Sequence, residues 1–362
     1  MTSSTTPTVE PLDSASFVDV EQNLDVERVI SAESAARPPS ERARPVPPVY
    51  HNLSIHVLAI LIPSSILGTL ARLGLSALAT YDGNSIFSLA YAQALGSFII
   101  GVAISQREMI GRFHEPLYIG IATGFCGSLT TFSGWQFEVF SAWLNIPGAN
   151  RSRFDNFIDG LGVTVYTLSL SLGSLVFGMH LSQYLAKKII VPPPPSRIVV
   201  IGITALSILT YAATLPTYFL LSPRFRHEAT AALLFAFPGA LTRYLLSINL
   251  NPISRSVPLG TLAANSFATA LVGIIFVLKS DTPHVVSDNA CNLLQGLSDG
   301  YCGCLSTVST FVLEIYTLKK GRGAFYAILS WCVGQILLLV VLGPAIWSGH
   351  ANKQQTCHFS TG

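Results

Sequence analysis

The sequence predicts an all-α membrane protein: nine transmembrane helices, built as two inverted four-helix repeats joined by a linker helix. Three observations lead there. Half of the 362 residues are hydrophobic and only 11% are charged, against about 25% in ordinary soluble domains. The apolar residues gather in runs of about 20, long enough to cross a bilayer. The runs in the two halves of the chain also carry the same motifs in the same order.

Residues 1–53 hold eight of the 19 acids and are rich in Ser, Thr, Pro and Glu. They lack the basic start and apolar core of a signal peptide. So little apolar surface cannot offset the entropy of folding, and the segment reads as a disordered cytoplasmic tail. Apolar runs near 55–79, 86–105, 117–143 and 160–185 make a first four-helix repeat within 54–186. Residues 187–222 begin with KKIIVPPPPSR, a stiff polyproline spacer, and contain a fifth run, 198–221. Runs near 229–248, 258–278, 290–317 and 324–347 make the second repeat within 223–347, and 348–362 remains as a short extracellular tail.

Cytoplasmic loops of membrane proteins collect Lys and Arg. With the N-terminus inside, the inner side holds twelve such residues, among them Arg107, Arg112, Arg197, Arg255, Lys319 and Arg322. The outer side holds six: Arg151, Arg153, Arg224, Arg226, Lys279 and Lys353. This predicts N-terminus in and C-terminus out. Asn150-Arg151-Ser152 then falls outside as a weak glycosylation signal. A net charge of +2 without a basic, aromatic-interleaved cluster argues against nucleic acid. The six cysteines show neither CxxC pairs nor a disulfide framework and read as small packing residues.

The repeat is explicit. Gly68-Thr-Leu-Ala-Arg72 matches Gly239-Ala-Leu-Thr-Arg243. Gln93 and Gly101 match Asn265 and Gly273. Gly124-Phe-Cys-Gly127-Ser-Leu-Thr130-Thr131-Phe132-Ser133 matches Gly300-Tyr-Cys-Gly303-Cys-Leu-Ser306-Thr307-Val308-Ser309, and Glu138 matches Glu314. The offsets are 171, 172 and 176. Four spans return the chain to its starting side, so the fifth turns the second repeat upside down. Inverted repeats place sites near the bilayer midplane, between the halves.

The third and eighth spans join glycines to hydroxyl clusters: Thr130, Thr131 and Ser133 in one, Ser306, Thr307, Ser309 and Thr310 in the other. Glycine weakens a helix and hydroxyls bond its backbone, so both helices are predicted to break there. Backbone freed at membrane depth needs protein, water or an ion as partner; the alternative is a small-residue packing surface. Arg72 and Arg243 are costly to embed. They are expected to face a watery vestibule and concentrate anions, or else to snorkel. Glu138 and Glu314 are proton sites or are paired with polar neighbours. The amides of Gln93 and Asn265 either serve a site or join helices. There is no Ser/His/Asp constellation, phosphate loop or metal-ligand spacing, and the eight histidines lie in loops, tails and span ends. An enzyme is not expected.

The doubled element GxCGxxTTFS followed by Glu, preceded by GxxxR and a polar amide, resembles the Fluc/CrcB fluoride channel family in its two-repeat eukaryotic form. The resemblance runs from about residue 55 to 347, apart from the linker. It implies passive fluoride export through two pathways, lined by an amide-bearing second helix and paired phenylalanines. It further implies a central sodium ion held by backbone carbonyls of the broken helices. Carried over, the amides are Gln93 and Asn265, the first ring positions Phe132 and Val308, and the second Trp135 and Phe311. The sodium carbonyls are those of Gly127, Thr130, Gly303 and Ser306. Because Gln93, Trp135 and Val308 replace expected residues, one pathway (Phe132, Phe311, Asn265) is expected to be intact and the other degenerate. The resemblance also implies the plasma membrane, with lipid and fluoride as the partners and one chain sufficing. The rival is a proton-coupled inverted-repeat transporter using Glu138 or Glu314; a non-transporting scaffold ranks last.

Overall fold

The computed structural model describes residues 50–80, 88–186, 193–220, 230–281, 286–319, 321–353 and 357. Residues 1–49 of the predicted tail, and the polyproline start at 187–192, lie outside the described residues. What is described falls within one compact unit, Pro47–Gly362, and is helical throughout, apart from turns and a lone bridge between Asp281 and Ala351.

In chain order the helices are α1 (Ile55–Leu78), α2 (Ala90–Ser105), α3 (Arg107–Ile119), α4 (Gly127–Leu129), α5 (Phe132–Leu144), α6 (Arg153–Ala186), α7 (Arg197–Leu220) and α8 (Ala231–Leu250). They continue as α9 (Leu259–Ser280), α10 (Asp288–Gly296), α11 (Gly303–Leu305), α12 (Ser309–Thr317) and α13 (Arg322–Trp347). Among the described residues six of these are long and apolar enough to cross a membrane: α1, α6, α7, α8, α9 and α13, with α2 shorter but apolar.

The third and eighth apolar runs do break. After α3, which is kinked at His114, the chain widens into a π-helical turn (Gly120–Cys126) and then the single turn α4. At Thr130 (φ −100°, ψ 146°) and Thr131 (φ −136°, ψ 123°) it is fully extended before α5 begins. The second copy repeats this: α10, a π-helical turn (Leu297–Cys302), α11, and an extended Ser306 (φ −90°, ψ 154°) before α12. Local chemistry explains the stop, because the Thr130 hydroxyl and the Ser306 hydroxyl each donate to a carbonyl four residues back, on Cys126 and Cys302, both at 3.0 Å.

Close packing here depends on Gly68 and Gly239. A Cβ at Gly68 would stand 2.5 Å from the Phe125 carbonyl oxygen, and one at Gly239 would stand 2.4 Å from that of Tyr301. This is why the GxxxR motif can lay α1 and α8 against the π-helical turns.

The halves interlock. Helix α2 packs on α6 and α9 on α13, each within its own repeat, but α5 crosses to α9 and α13 while α12 crosses to α2 and α6. Helix α7 lies at the side against α1 and α8 and leaves Ile198, Leu206, Leu209, Leu215 and Phe219 exposed, a surface suited to lipid.

Two expectations need correction. Cys291 and Cys357 are not packing residues but form a disulfide; Cys126, Cys302, Cys304 and Cys332 are free thiols. Residues 50–53 also belong to the folded unit rather than the tail. The Tyr50 ring packs edge-on against His56 and His114, and the Asn52 carbonyl accepts from Tyr244 Oη at 2.9 Å.

Candidate functional site

The two breaks meet at the centre, where each caps the other. Ser309 N–H, at the start of α12, donates to Thr130 Oγ1 at 3.0 Å, and Ser133 N–H, at the start of α5, donates to Ser306 Oγ at 3.1 Å. Helix starts leave backbone donors without intrahelical partners. Here a hydroxyl from the opposite half fills that role, at positions related by the same offset of 176. Thr131 Oγ1 and Ser306 Oγ lie 3.0 Å apart, and Thr130 Oγ1 and Thr307 Oγ1 3.1 Å. Thr310, half-buried, adds its N–H to Thr307 Oγ1 at 3.4 Å. The predicted hydroxyl set is thus brought together, but as a web that stitches the halves.

The arginines complete that web and correct the vestibule expectation. Arg72 is 5% exposed and Arg243 2%. Arg72 Nε donates to the Ser128 carbonyl at 3.1 Å and its Nη2 to the Asp299 carbonyl of the other half. Arg243 Nε donates to the Cys304 carbonyl at 2.7 Å and its Nη2 to the Thr123 carbonyl at 2.7 Å. Each guanidinium therefore ties a carbonyl of its own break to one of its neighbour's, using the fork that distinguishes Arg from Lys. A Cβ at Gly127 would sit 2.2 Å from Arg243 Nη1, and one at Gly303 would sit 2.3 Å from Arg72 Nη2; the glycines make room for the fork.

The amides do not behave alike. Asn265 clasps Thr307 at two points, accepting its N–H at 2.8 Å and donating Nδ2 to its carbonyl at 3.3 Å. Among the described residues Gln93, one methylene longer, reaches only the Thr131 carbonyl, at 2.8 Å, and its buried Oε1 meets no hydrogen-bond partner. Beside them Phe132 and Phe311 pack edge-to-face with centroids 5.2 Å apart, and Trp135 stands perpendicular to Phe132 at 5.4 Å. Trp135 and Val308 share this buried cluster with the two phenylalanines, so the four ring positions form one group rather than two separated pairs.

The carboxylates are engaged: Glu138 accepts from the Ser88 hydroxyl, and Glu314 from Thr261 Oγ1 at 2.6 Å and Tyr326 Oη at 2.8 Å. Near Glu138 a cavity of about 300 Å³ opens between α5, α9 and the second π-helical turn, lined also by Ser88, Lys279, Gln295 and Asp299. There Lys279 Nζ donates to Gln295 Oε1, and Gln295 Nε2 to Asp299 Oδ2 at 2.6 Å. The sequence marks Lys279 only as an outer-side cation and gives no sign of Gln295 or Asp299, because the three come from different elements and match no motif. The C-terminal tail straps this end. Asn352 N–H donates to the Ser280 carbonyl at 2.9 Å and Lys353 Nζ to the Leu144 carbonyl at 2.7 Å, ahead of the Cys291–Cys357 disulfide.

The fit of a cation rests on the break carbonyls. Among the described residues no group of three or more His, Cys, Asp or Glu side chains converges on a metal position. The arginine forks use the carbonyls of residues 123, 128, 299 and 304. Those of Gly127, Thr130, Gly303 and Ser306 are not among the carbonyls the forks use. Backbone carbonyl oxygens are the ligand type a hard cation takes.

Comparison with known proteins agrees with this architecture. The fluoride export protein 1 of Neurospora crassa is 32% identical over 359 residues, covering 81% of this chain and 67% of its own. The fluoride export protein 1 of Schizosaccharomyces pombe is 32% identical over 302 residues, covering 80% of this chain and 96% of its own. The fluoride-specific ion channel FluC 1 of Yersinia pseudotuberculosis is 36% identical over 103 residues, covering 28% of this chain and 73% of its own, about the length of one repeat. No solved structure matches the chain. The family described as CrcB-like protein, Camphor Resistance (CrcB), matches residues 59–179 and 230–344, one match for each repeat, and the chain belongs to that family.

Proposed function

We propose that this chain is a fluoride channel that lets the anion leave the cytoplasm down its electrochemical gradient. The observation that carries the reading is the family match over both repeats, with relatives named for fluoride export aligned across about four fifths of the chain. The chemistry at the centre supports it. Fluoride is small and strongly hydrated, so a pore must replace its water with close donors. Amide N–H groups and the positive edges of the Phe132 and Phe311 rings are donors of that kind. No coupling is needed, because an inside-negative potential drives the anion out at about 2.3 kcal/mol per 100 mV.

The finer architecture belongs to the same proposal. Counting each interrupted run as one crossing gives nine spans, with α7 as the inverting linker. The Cys291–Cys357 disulfide supports an extracellular C-terminus, since such bonds persist in oxidising compartments. With the inner excess of Lys and Arg, this supports an export channel of the plasma membrane. One chain contains both repeats, which supports a monomer. Phe132, Phe311 and Asn265 line the pathway, with Gln93, Val308 and Trp135 at the diverged positions. Thr130, Thr131, Ser133, Ser306, Thr307, Ser309 and Thr310, with Arg72 and Arg243, frame it. Sodium would be held by the carbonyls of Gly127, Thr130, Gly303 and Ser306, and would supply a fixed positive charge between the breaks.

The proton-coupled rival is not favoured. Glu138 and Glu314 lie beyond the breaks, each held by hydroxyl donors, and no relative above is named for such exchange. The test is fluoride efflux from liposomes containing purified protein, with a potassium–valinomycin potential imposed and chloride as control. Rapid, fluoride-selective efflux that follows the potential is expected. Flux that follows a pH gradient and ignores the potential would replace this reading with the exchanger.

A further inference from the structure

Trp135 occupies the position where the other repeat carries Phe311. The sequence alone makes it a departure from a pathway of paired phenylalanines. It is 1% exposed and among the largest fully buried side chains. Its ring meets Phe132 edge-on at 5.4 Å and Phe311 at 6.5 Å, so it belongs to the ring cluster beside the breaks.

Its indole Nε1–H is buried with no hydrogen-bond acceptor among the described residues. Buried polar groups are almost always partnered, and an indole nitrogen only donates. Trp143 Nε1, at the other end of α5, is likewise without a partner among the described residues, but it packs against Trp331 rather than the phenylalanine pair; Trp331 gives its Nε1–H to Thr164 Oγ1 at 3.3 Å. A donor left open in the cluster that lines the proposed pathway has the chemistry of an anion ligand. A phenylalanine offers only the weak positive edge of its ring, whereas an indole N–H makes a full, charge-assisted hydrogen bond to an anion.

Resting on the fluoride-channel reading, we infer that Trp135 is a specificity-determining residue whose indole N–H donates to the permeating fluoride ion. The substitution of tryptophan for phenylalanine is then a gain of a donor, not a lesion. Gln93 and Val308 remain the diverged positions, while Trp135 works with Phe132 and Phe311.

The experiment uses the full-length protein with ¹⁵N-tryptophan. Its four indole N–H resonances are followed as sodium fluoride or sodium chloride is added, and Trp135 is assigned from its absence in Trp135→Phe. Liposome efflux of both proteins is measured in parallel. A hydrogen bond to a charged group contributes about 1.5–3 kcal/mol, so Trp135→Phe should lower fluoride efflux by roughly ten- to a hundredfold. The Trp135 signal should move downfield with fluoride and stay in place with chloride. A wild type that conducts, with a Trp135 signal indifferent to fluoride and an undiminished Trp135→Phe, would overturn the inference and leave the channel reading intact. A wild type that does not conduct would overturn the channel reading itself. The resonance is read on wild-type protein, so the inference stays testable even if Trp135→Phe folds poorly.

Discussion

Asn265 and Gln93 occupy matching places in the two repeats and make different numbers of bonds, so their removal should have different consequences. Leucine shares the branched outline of asparagine and has no polar atoms. Asn265→Leu would leave the buried Thr307 N–H and carbonyl without their side-chain partners. Gln93→Leu would leave only the Thr131 carbonyl so exposed to loss. Each orphaned backbone group costs about 1–3 kcal/mol. The first change should therefore destabilise by about 2–6 kcal/mol and the second by about 1–3 kcal/mol. Thermal unfolding in one detergent, scanned at one rate, reads the difference: the Asn265→Leu midpoint should fall about twice as far as that of Gln93→Leu. Fluoride efflux from liposomes should be abolished in Asn265→Leu, assayed below its unfolding temperature. Equal midpoint shifts would mean that Thr307 finds other partners and that the two-point clasp carries no special weight. Full efflux in Asn265→Leu would remove the amide from the pathway.

Replacing either guanidinium by an ammonium removes the fork. Arg72→Lys and Arg243→Lys should each lower stability by about 1–3 kcal/mol, and by similar amounts because their bonds are mates; a thermal-melt difference much larger than the error would contradict the matched roles. Separating Cys291 from Cys357 by Cys→Ser changes releases a 66-residue link and should cost about 2–4 kcal/mol. In intact cells a membrane-impermeant phosphine should make both thiols available to an impermeant maleimide; labelling only after permeabilisation would place that end inside. His114 is held below its usual range first by burial and then by the nearby His56. A lowered folded-state value means that the unfolded chain takes up the proton first. The stability His114 contributes is therefore present above about pH 6.5 and lost as the pH falls through its folded value. His114→Phe should flatten the melting midpoint between about pH 7 and pH 5, and an unchanged slope would show that other groups set it.

Much of the scaffold was legible because the sequence pattern and the backbone geometry share a cause. Gly68 and Gly239 recur because α1 and α8 each touch a carbonyl where no Cβ fits. The hydroxyl clusters recur because each break needs caps at both lips. What stayed hidden was the identity of the partners. Arg72 announces an embedded charge, but nothing in a linear motif says that one nitrogen serves Ser128 and another Asp299, 227 residues away. The pairing of Cys291 with Cys357 carries no spacing signal, and the Lys279–Gln295–Asp299 chain is assembled only by folding.

The division between matched and unmatched positions follows from the same geometry. Thr130 serves Ser309, and Ser306 serves Ser133. A change in one hydroxyl therefore strands a backbone N–H in the opposite half, and both copies must keep an oxygen there. The forks of Arg72 and Arg243 impose the same reciprocity on Gly303 and Gly127. Phe132 and Val308, or Trp135 and Phe311, form no hydrogen bond across the break through their side chains. A change in one of them leaves the other half's backbone satisfied. A chain that holds both repeats can thus hold its centre nearly symmetric while its ring positions diverge, and this is the pattern of the two halves here.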